Sequence, residues 1–131
     1  MPDEQAPPIV VDVANVLGSR PDGWWRDREG ATRQLLGRLA LLDDGHRLVC
    51  VLEGRARGAA PPGPLPGHPT VEVVHAPHAG DDTVASLAAP GRLVVTADRD
   101  LRARVQAAGA AIAGPRWLLD LVAAAADTAA T

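Results

Sequence analysis

The sequence predicts an α/β domain, a three-layer α/β/α sandwich built around a mostly parallel sheet. Two observations carry this. Short apolar runs rich in Val, Leu and Ile alternate with longer stretches whose apolar residues recur at helical spacing, the pattern of strands buried on both faces and joined by helices. Acidic residues fall where those runs end or where helices begin, at Asp12, Asp82, Asp98 and Asp100. The carboxyl ends of parallel strands are where open α/β sheets place their ligands.

Each element has its own signal. Ile9-Val10-Val11-Asp12-Val13 reads as the first strand, and residues 24–42 as a helix with Leu35, Leu36, Leu39 and Leu42 on one face. Asp43-Asp44-Gly45 stops that helix, and residues 47–53 form the second strand. A loop follows over 54–69, where Pro61, Pro62, Pro64 and Pro66 with Gly54, Gly58, Gly63 and Gly67 oppose a stable helix. Residues 71–75 read as the third strand, 81–89 as a short helix, and Leu93-Val94-Val95-Thr96 as the fourth strand. A helix over 101–108 ends at Gly109, and residues 110–113 read as a weak edge strand. Pro115 opens a last helix to about residue 126, with Trp117, Leu118, Leu121 and Val122 facing the core.

A chain of 131 residues suits one domain. We assign it to 9–126, with an acidic, Pro-containing disordered segment at 1–8 and a frayed Ala-rich tail at 127–131. All 13 basic residues are Arg. The lack of Lys excludes a P-loop lysine, a Schiff base and the lysine that phosphoacceptor receiver domains use. A net charge of −3 gives no global positive field, so any contact with nucleic acid is local and partly metal-mediated. Cys50 sits inside the apolar run Leu48-Val49-Cys50-Val51-Leu52 and reads as a core residue; as the single cysteine it forms no disulfide within the chain. No apolar stretch reaches the roughly 18 residues of a membrane span, and residues 1–8 have no basic leader, so a cytoplasmic protein is expected.

The acids carry the chemistry. If the first and fourth strands are neighbours, Asp12 and Asp98 point into one crevice, with Asp82 and Asp100 completing a ring. Carboxylates so close repel one another, and bound Mg²⁺ or Mn²⁺, hard cations that take oxygen ligands, is the simplest compensation. Such ions activate water and stabilise charge on a phosphoryl group under attack. An acid that ends a buried strand, as Asp12 does, has no capping duty and needs a partner or an ion. Asp81, Asp98 and Asp100 each have an alternative explanation as helix caps. Between the neighbours Asp81 and Asp82, we choose Asp82 for the site because it lies one residue further into the first turn, which leaves Asp81 as the cap.

Three blocks in order then resemble a known family. Asp12-Val13-Ala14-Asn15 is similar to the opening Asp-x-x-Asn signature of the PIN-like nucleases, in particular the NYN group that includes the YacP-type proteins. Gly80-Asp81-Asp82-Thr83-Val84 matches the mid-chain acidic pair of that group, and Thr96-Ala97-Asp98-Arg99-Asp100-Leu101 its Thr-x-Asp-x-Asp-Leu block. Gly109 fits the glycine before the last strand, so the resemblance covers roughly 9–119. It implies a PIN-like fold and a Mg²⁺- or Mn²⁺-dependent ribonuclease. In that reading Asp12, Asp82, Asp98 and Asp100 hold the metal, Asn15 and Thr96 orient groups around it, and RNA is the partner. The resemblance is compatible with a homodimer and with a toxin-type nuclease of a two-component system, and no residue names a protein partner.

Candidate phosphate contacts are Arg26, Arg99 and Arg102, with Arg28, Arg33 and Arg104 nearby in sequence. Trp24-Trp25 either stack on bases or cover the sheet and the loop before the helix. His75 and His78 match no zinc spacing, and Glu53, closing the second strand, is a candidate outer acid. Rival readings account for less. A Toprim-like site using Glu53-Gly54 and Asp98-Arg99-Asp100 leaves Asp12, Asn15 and Asp82 without a role. A haloacid-dehalogenase site needs an acid where Ala14 stands, and a dinucleotide-binding domain needs glycines that 13–18 lack. A non-catalytic module binding RNA or protein through the same crevice is the alternative from a different class.

Overall fold

Five strands pair in parallel, the central ones with apolar side chains buried on both faces and the outer ones, such as that with the exposed Glu72, buried chiefly on one. In the computed structural model, which describes residues 7–20, 23–43 and 45–130, these are β1 (Ile9–Asp12), β2 (Leu48–Leu52), β4 (His68–His75), β5 (Leu93–Val95) and β6 (Ala111–Ala113). A sixth strand, β3 (Gly63–Leu65), runs antiparallel to β4 at the sheet edge, giving the order β3-β4-β2-β1-β5-β6. The first strand therefore lies between β2 and β5, and the chain builds outward from it in both directions. That reversal of strand order at β1 is the topological switch point at which α/β sheets bind ligands.

Side chains alternate strictly across this sheet. Ile9, Val11, Leu48, Cys50, Leu52, Val71, Val73 and Val95 face one core. The helices α1 (Val13–Gly18), α2 (Arg28–Leu39) and α5 (Pro115–Ala130) cover it with Val16, Leu35, Leu39, Leu118 and Val122. Val10, Val51 and Val94 face a second core under α3 (Gly80–Leu87) and α4 (Arg99–Ala107), completed by Val84, Leu101 and Val105. The three layers are thus those the strand and helix pattern predicts. Cys50 is buried, and burial pushes its thiol up to about 12, as befits a core residue.

Four boundaries differ from expectation, each for a local reason. Val13 belongs to α1 and not to the first strand, because the chain turns into helix as soon as Asp12 leaves the sheet. The long helix over 24–42 is three pieces, a 3₁₀ turn Trp24–Arg26, then α2, then a 3₁₀ turn Ala40–Leu42. Asp27 causes the first break by leaving the helical region and capping α2 through Gly30. The Pro/Gly segment is structured: it forms a 3₁₀ helix, Gly54–Ala59, and then β3, where Pro64 is tolerated because an edge strand needs no second set of bonds. The last helix continues to Ala130, past the expected end near residue 126 and through most of the segment read as a frayed tail. The segment expected to be disordered falls mostly outside the described residues, as do Pro21, Asp22, Asp44 and Thr131. Gly109, at φ 89°, terminates α4 in the left-handed conformation as predicted. Among the described residues no helix is long and apolar enough to cross a membrane.

Candidate active site at the carboxyl end of the first strand

Asp12 is the last residue of β1 and shares the face of Val10, which directs it toward the layer of α3 and α4. It is buried, at 7% exposure, and two groups hold it there. The Thr96 hydroxyl donates to Asp12 Oδ2 at 2.9 Å, and the Asn15 backbone N–H approaches Oδ1 at 3.4 Å. The second contact makes Asp12 the N-cap of α1, so the expectation that it has no capping duty is wrong. Burial raises its carboxyl above the ordinary value. The hydrogen bonds from Thr96 and Asn15 oppose that rise, and the charges of Glu53 and Asp98 add to it.

Thr96 is the hub of the arrangement. Its own N–H donates to the Ala113 carbonyl, its hydroxyl accepts from Asp98 N–H at 3.2 Å, and its carbonyl accepts from Arg102 Nε at 2.9 Å. Asn15 makes a second tie between β1 and β5, its Oδ1 accepting from Ala97 N–H at 2.7 Å. Asp98 caps α4 by accepting from Leu101 N–H at 3.0 Å, as its capping alternative anticipated.

These groups open onto a hollow of about 280 Å³ lined by Asp12, Ala14, Asn15, Glu53, Ala79, Asp81 and Asp98. Four carboxylates therefore face one space. The N-termini of α3 and α4 lie beside it, and their dipoles offset part of the negative charge. Gly80 is needed for this closeness, since a Cβ there would lie 2.6 Å from Glu53 Oε1.

The expected ring is only partly assembled. Asp82 is outside the lining, and its carboxylate pairs with Arg104 at 3.0 Å. Asp81 lines the hollow, and it does not cap α3, whose N-cap is Ala79 with no side-chain bond. Both neighbours lie within reach of Arg104, Asp81 at 3.9 Å and Asp82 at 3.0 Å, and of the two Asp81 is the one that borders the hollow. Asp100 is exposed in the first turn of α4 and also lies outside the lining. Among the described residues no three metal-ligating side chains converge closely enough to form a ready ion cage. Arg99 is exposed beside the site, Arg102 is spent on the Thr96 carbonyl, and Arg26 lies in a neighbouring hollow with Trp25 and Arg55. Arg55 escaped the sequence reading because it sits in the Pro/Gly segment read as a loop, where no periodicity marks which residues face the site. Trp24 packs against the core, the packing role considered for one of the pair, while Trp25 stays exposed.

The same architecture occurs in known proteins. Crystal structures of Rae1 (YacP) from Bacillus subtilis superpose on it. One, of the native protein, has a TM-score of 0.71 at 20% identity over 92% of this chain and 75% of that one. The other, of a tryptophan-to-leucine variant, has a TM-score of 0.72 at 19% identity, covering 93% and 78%. The chain has the YacP fold. It is an α/β domain with a mostly parallel sheet, the fold that the resemblance of the three sequence blocks to the YacP-type proteins implied. No protein-family model and no curated protein matches the sequence, so the likeness to YacP is one of fold.

Proposed function

We propose that the protein is a metal-dependent ribonuclease that hydrolyses phosphodiester bonds at the acidic hollow. The observation that carries this reading is Asp12, a buried carboxylate held by Thr96 and Asn15 at the switch point of a YacP-type sheet and facing three further acids. An acid so placed resists ionisation, and a cation is what makes its charge favourable there.

The donor set fits Mg²⁺ or Mn²⁺ in kind, because every charged group lining the hollow is a carboxylate and no sulfur or imidazole is among them. The space corresponds to roughly nine waters at ~30 Å³ each, enough for an ion that keeps part of its hydration. Asp12 and Asp98, with Asp81 and Glu53, would hold it. When bound, such an ion lowers the pKa of water and neutralises charge on the phosphoryl group. The protein's own residues do the rest. Thr96 fixes which way Asp12 points, Asn15 fixes the loop that carries Asp98, and Arg99, exposed and next to Asp98, is the cation that would meet a phosphate.

A second reading, a non-catalytic RNA-binding module of PIN-like shape, is supported by the exposed Trp25 in a hollow lined by Arg26, Arg28 and Arg55, which needs no metal to bind. Calorimetric titration of Mn²⁺ into the wild type and Asp12→Asn, with cleavage of a fluorogenic single-stranded RNA on the same samples, separates the two. Metal binding and cleavage that both collapse in Asp12→Asn are the expected result. A wild type that binds no Mn²⁺ and cuts nothing sinks the nuclease reading in favour of the module.

A further inference from the structure

We infer that the hollow beside the acidic site, lined by Trp25, Arg26, Arg28 and Arg55, is a binding subsite for single-stranded polynucleotide. The inference rests on the nuclease reading for its purpose but on separate residues for its evidence. The hollow measures about 670 Å³ and lies between the start of α2 and the 3₁₀ helix after β2. Trp25 is 57% exposed and lines the hollow, so its indole is accessible to a ligand there. Arg26 sits over its ring at 5.8 Å, and Arg28 over the Trp24 ring at 5.1 Å, so both guanidinium groups are stationed against aromatic faces.

The acids of the hollow are already engaged. Asp27 caps α2 through Gly30, and Glu29 pairs with Arg33 at 2.8 Å. Three arginines and two carboxylates line the space, an excess of positive charge, and both carboxylates already have other partners. The 3₁₀ helix that carries Arg55 is held against α2 by two devices. Arg57 bonds the Gly54 and Ala76 carbonyls, and Gly58 admits the Glu29 carboxylate, which a Cβ would meet at 2.1 Å. An exposed indole beside fixed guanidinium groups is the combination that binds a polynucleotide strand without reading its sequence, with bases stacking and phosphates pairing.

Continuity with the acidic hollow gives the site its meaning. Glu53 lines one space and Gly54 and Arg55 the other, so adjacent residues of one chain segment border both. A strand anchored on Trp25 would pass its next phosphates over Glu53 toward Asp12. The negative net charge is then no obstacle, because binding is confined to one cationic strip.

The test is fluorescence anisotropy of a short labelled oligouridylate with the full chain in EDTA, where nothing is cut, followed by cleavage kinetics in Mn²⁺. Trp25→Ala is expected to weaken binding about 5- to 100-fold, with Trp25→Phe restoring most of it. Arg55→Ala is expected to flatten the slope of log affinity against log salt by roughly 0.7. In Mn²⁺, Trp25→Ala should raise KM and spare kcat. Unchanged affinity in Trp25→Ala, no binding by the wild type, or equal displacement by polyglutamate would each overturn the subsite. A wild type that binds as expected in EDTA but never cleaves removes the nuclease reading and leaves the subsite standing.

Discussion

Asp12 and Asp43 are both held by a threonine hydroxyl, yet they titrate in opposite directions. Asp12 is buried, so desolvation outweighs the hydrogen bond from Thr96 and its carboxyl rises. Asp43 is only half-buried, and the Thr70 hydroxyl bond wins, with His68 Nδ1 3.5 Å away helping to hold the carboxyl below its ordinary value. A carboxyl lowered in the folded state contributes stability above its unfolded value and loses it as pH falls through the folded one. Thermal melts from about pH 6 to about pH 2 should therefore show a shallower acid limb for Asp43→Asn and for Thr70→Val than for the wild type. Equal slopes in all three would mean the hydrogen bond does not hold in solution. No residue pattern distinguishes these two aspartates, since burial is a property of the fold. The same limit applies to Asp81 and Asp82, adjacent acids whose directions depend on how α3 docks with Gly80 against Glu53.

At the scale of elements, the site is the meeting of five short pieces: the end of β1, the start of α1, the residue after β2, the start of α3, and the junction of β5 with α4. The strands and helices were legible because their apolar spacing is strong. The pieces between them were not, because 3₁₀ turns and a three-residue edge strand leave too few residues to show a period. Thr96 shows what holds the pieces together. Its side chain satisfies the buried Asp12 carboxylate and accepts from Asp98 N–H, so it couples β1 to the cap of α4. Thr96→Val keeps the shape and deletes both bonds, leaving a buried carboxylate short of a donor at a cost of about 1–3 kcal/mol in urea unfolding. Most of that loss should vanish in an Asp12→Asn background, since an amide tolerates burial where a charge does not. An undiminished loss there would show that Thr96 acts through packing alone.

For the molecule as a whole, a sheet buried on both faces makes each core depend on the other. Val10 and Val11 are neighbours in β1 yet belong to opposite cores, and the same strand cannot keep one while losing the other. The site inherits this dependence: Asp12 and Asn15 reach it from β1 and α1, Asp98 from the α4 layer. Melting either layer removes half of it. Unfolding should therefore be a single transition, and damage on the two sides should add. Val122→Ala, on α5 under the first core, and Val105→Ala, on α4 under the second, each remove two buried methyl groups from fully buried positions. Each should cost about 2 kcal/mol in urea unfolding, with an unchanged m value. The sheet separates them and they share no partner, so the double variant should lose the sum of the two within about 0.5 kcal/mol. A biphasic curve, or a double variant that loses only as much as one single, would show that α3 and α4 fold as a unit apart from the rest. In that case the acidic hollow would lie on a seam between two units that open independently, and Mn²⁺ would stabilise their closure in addition to either unit.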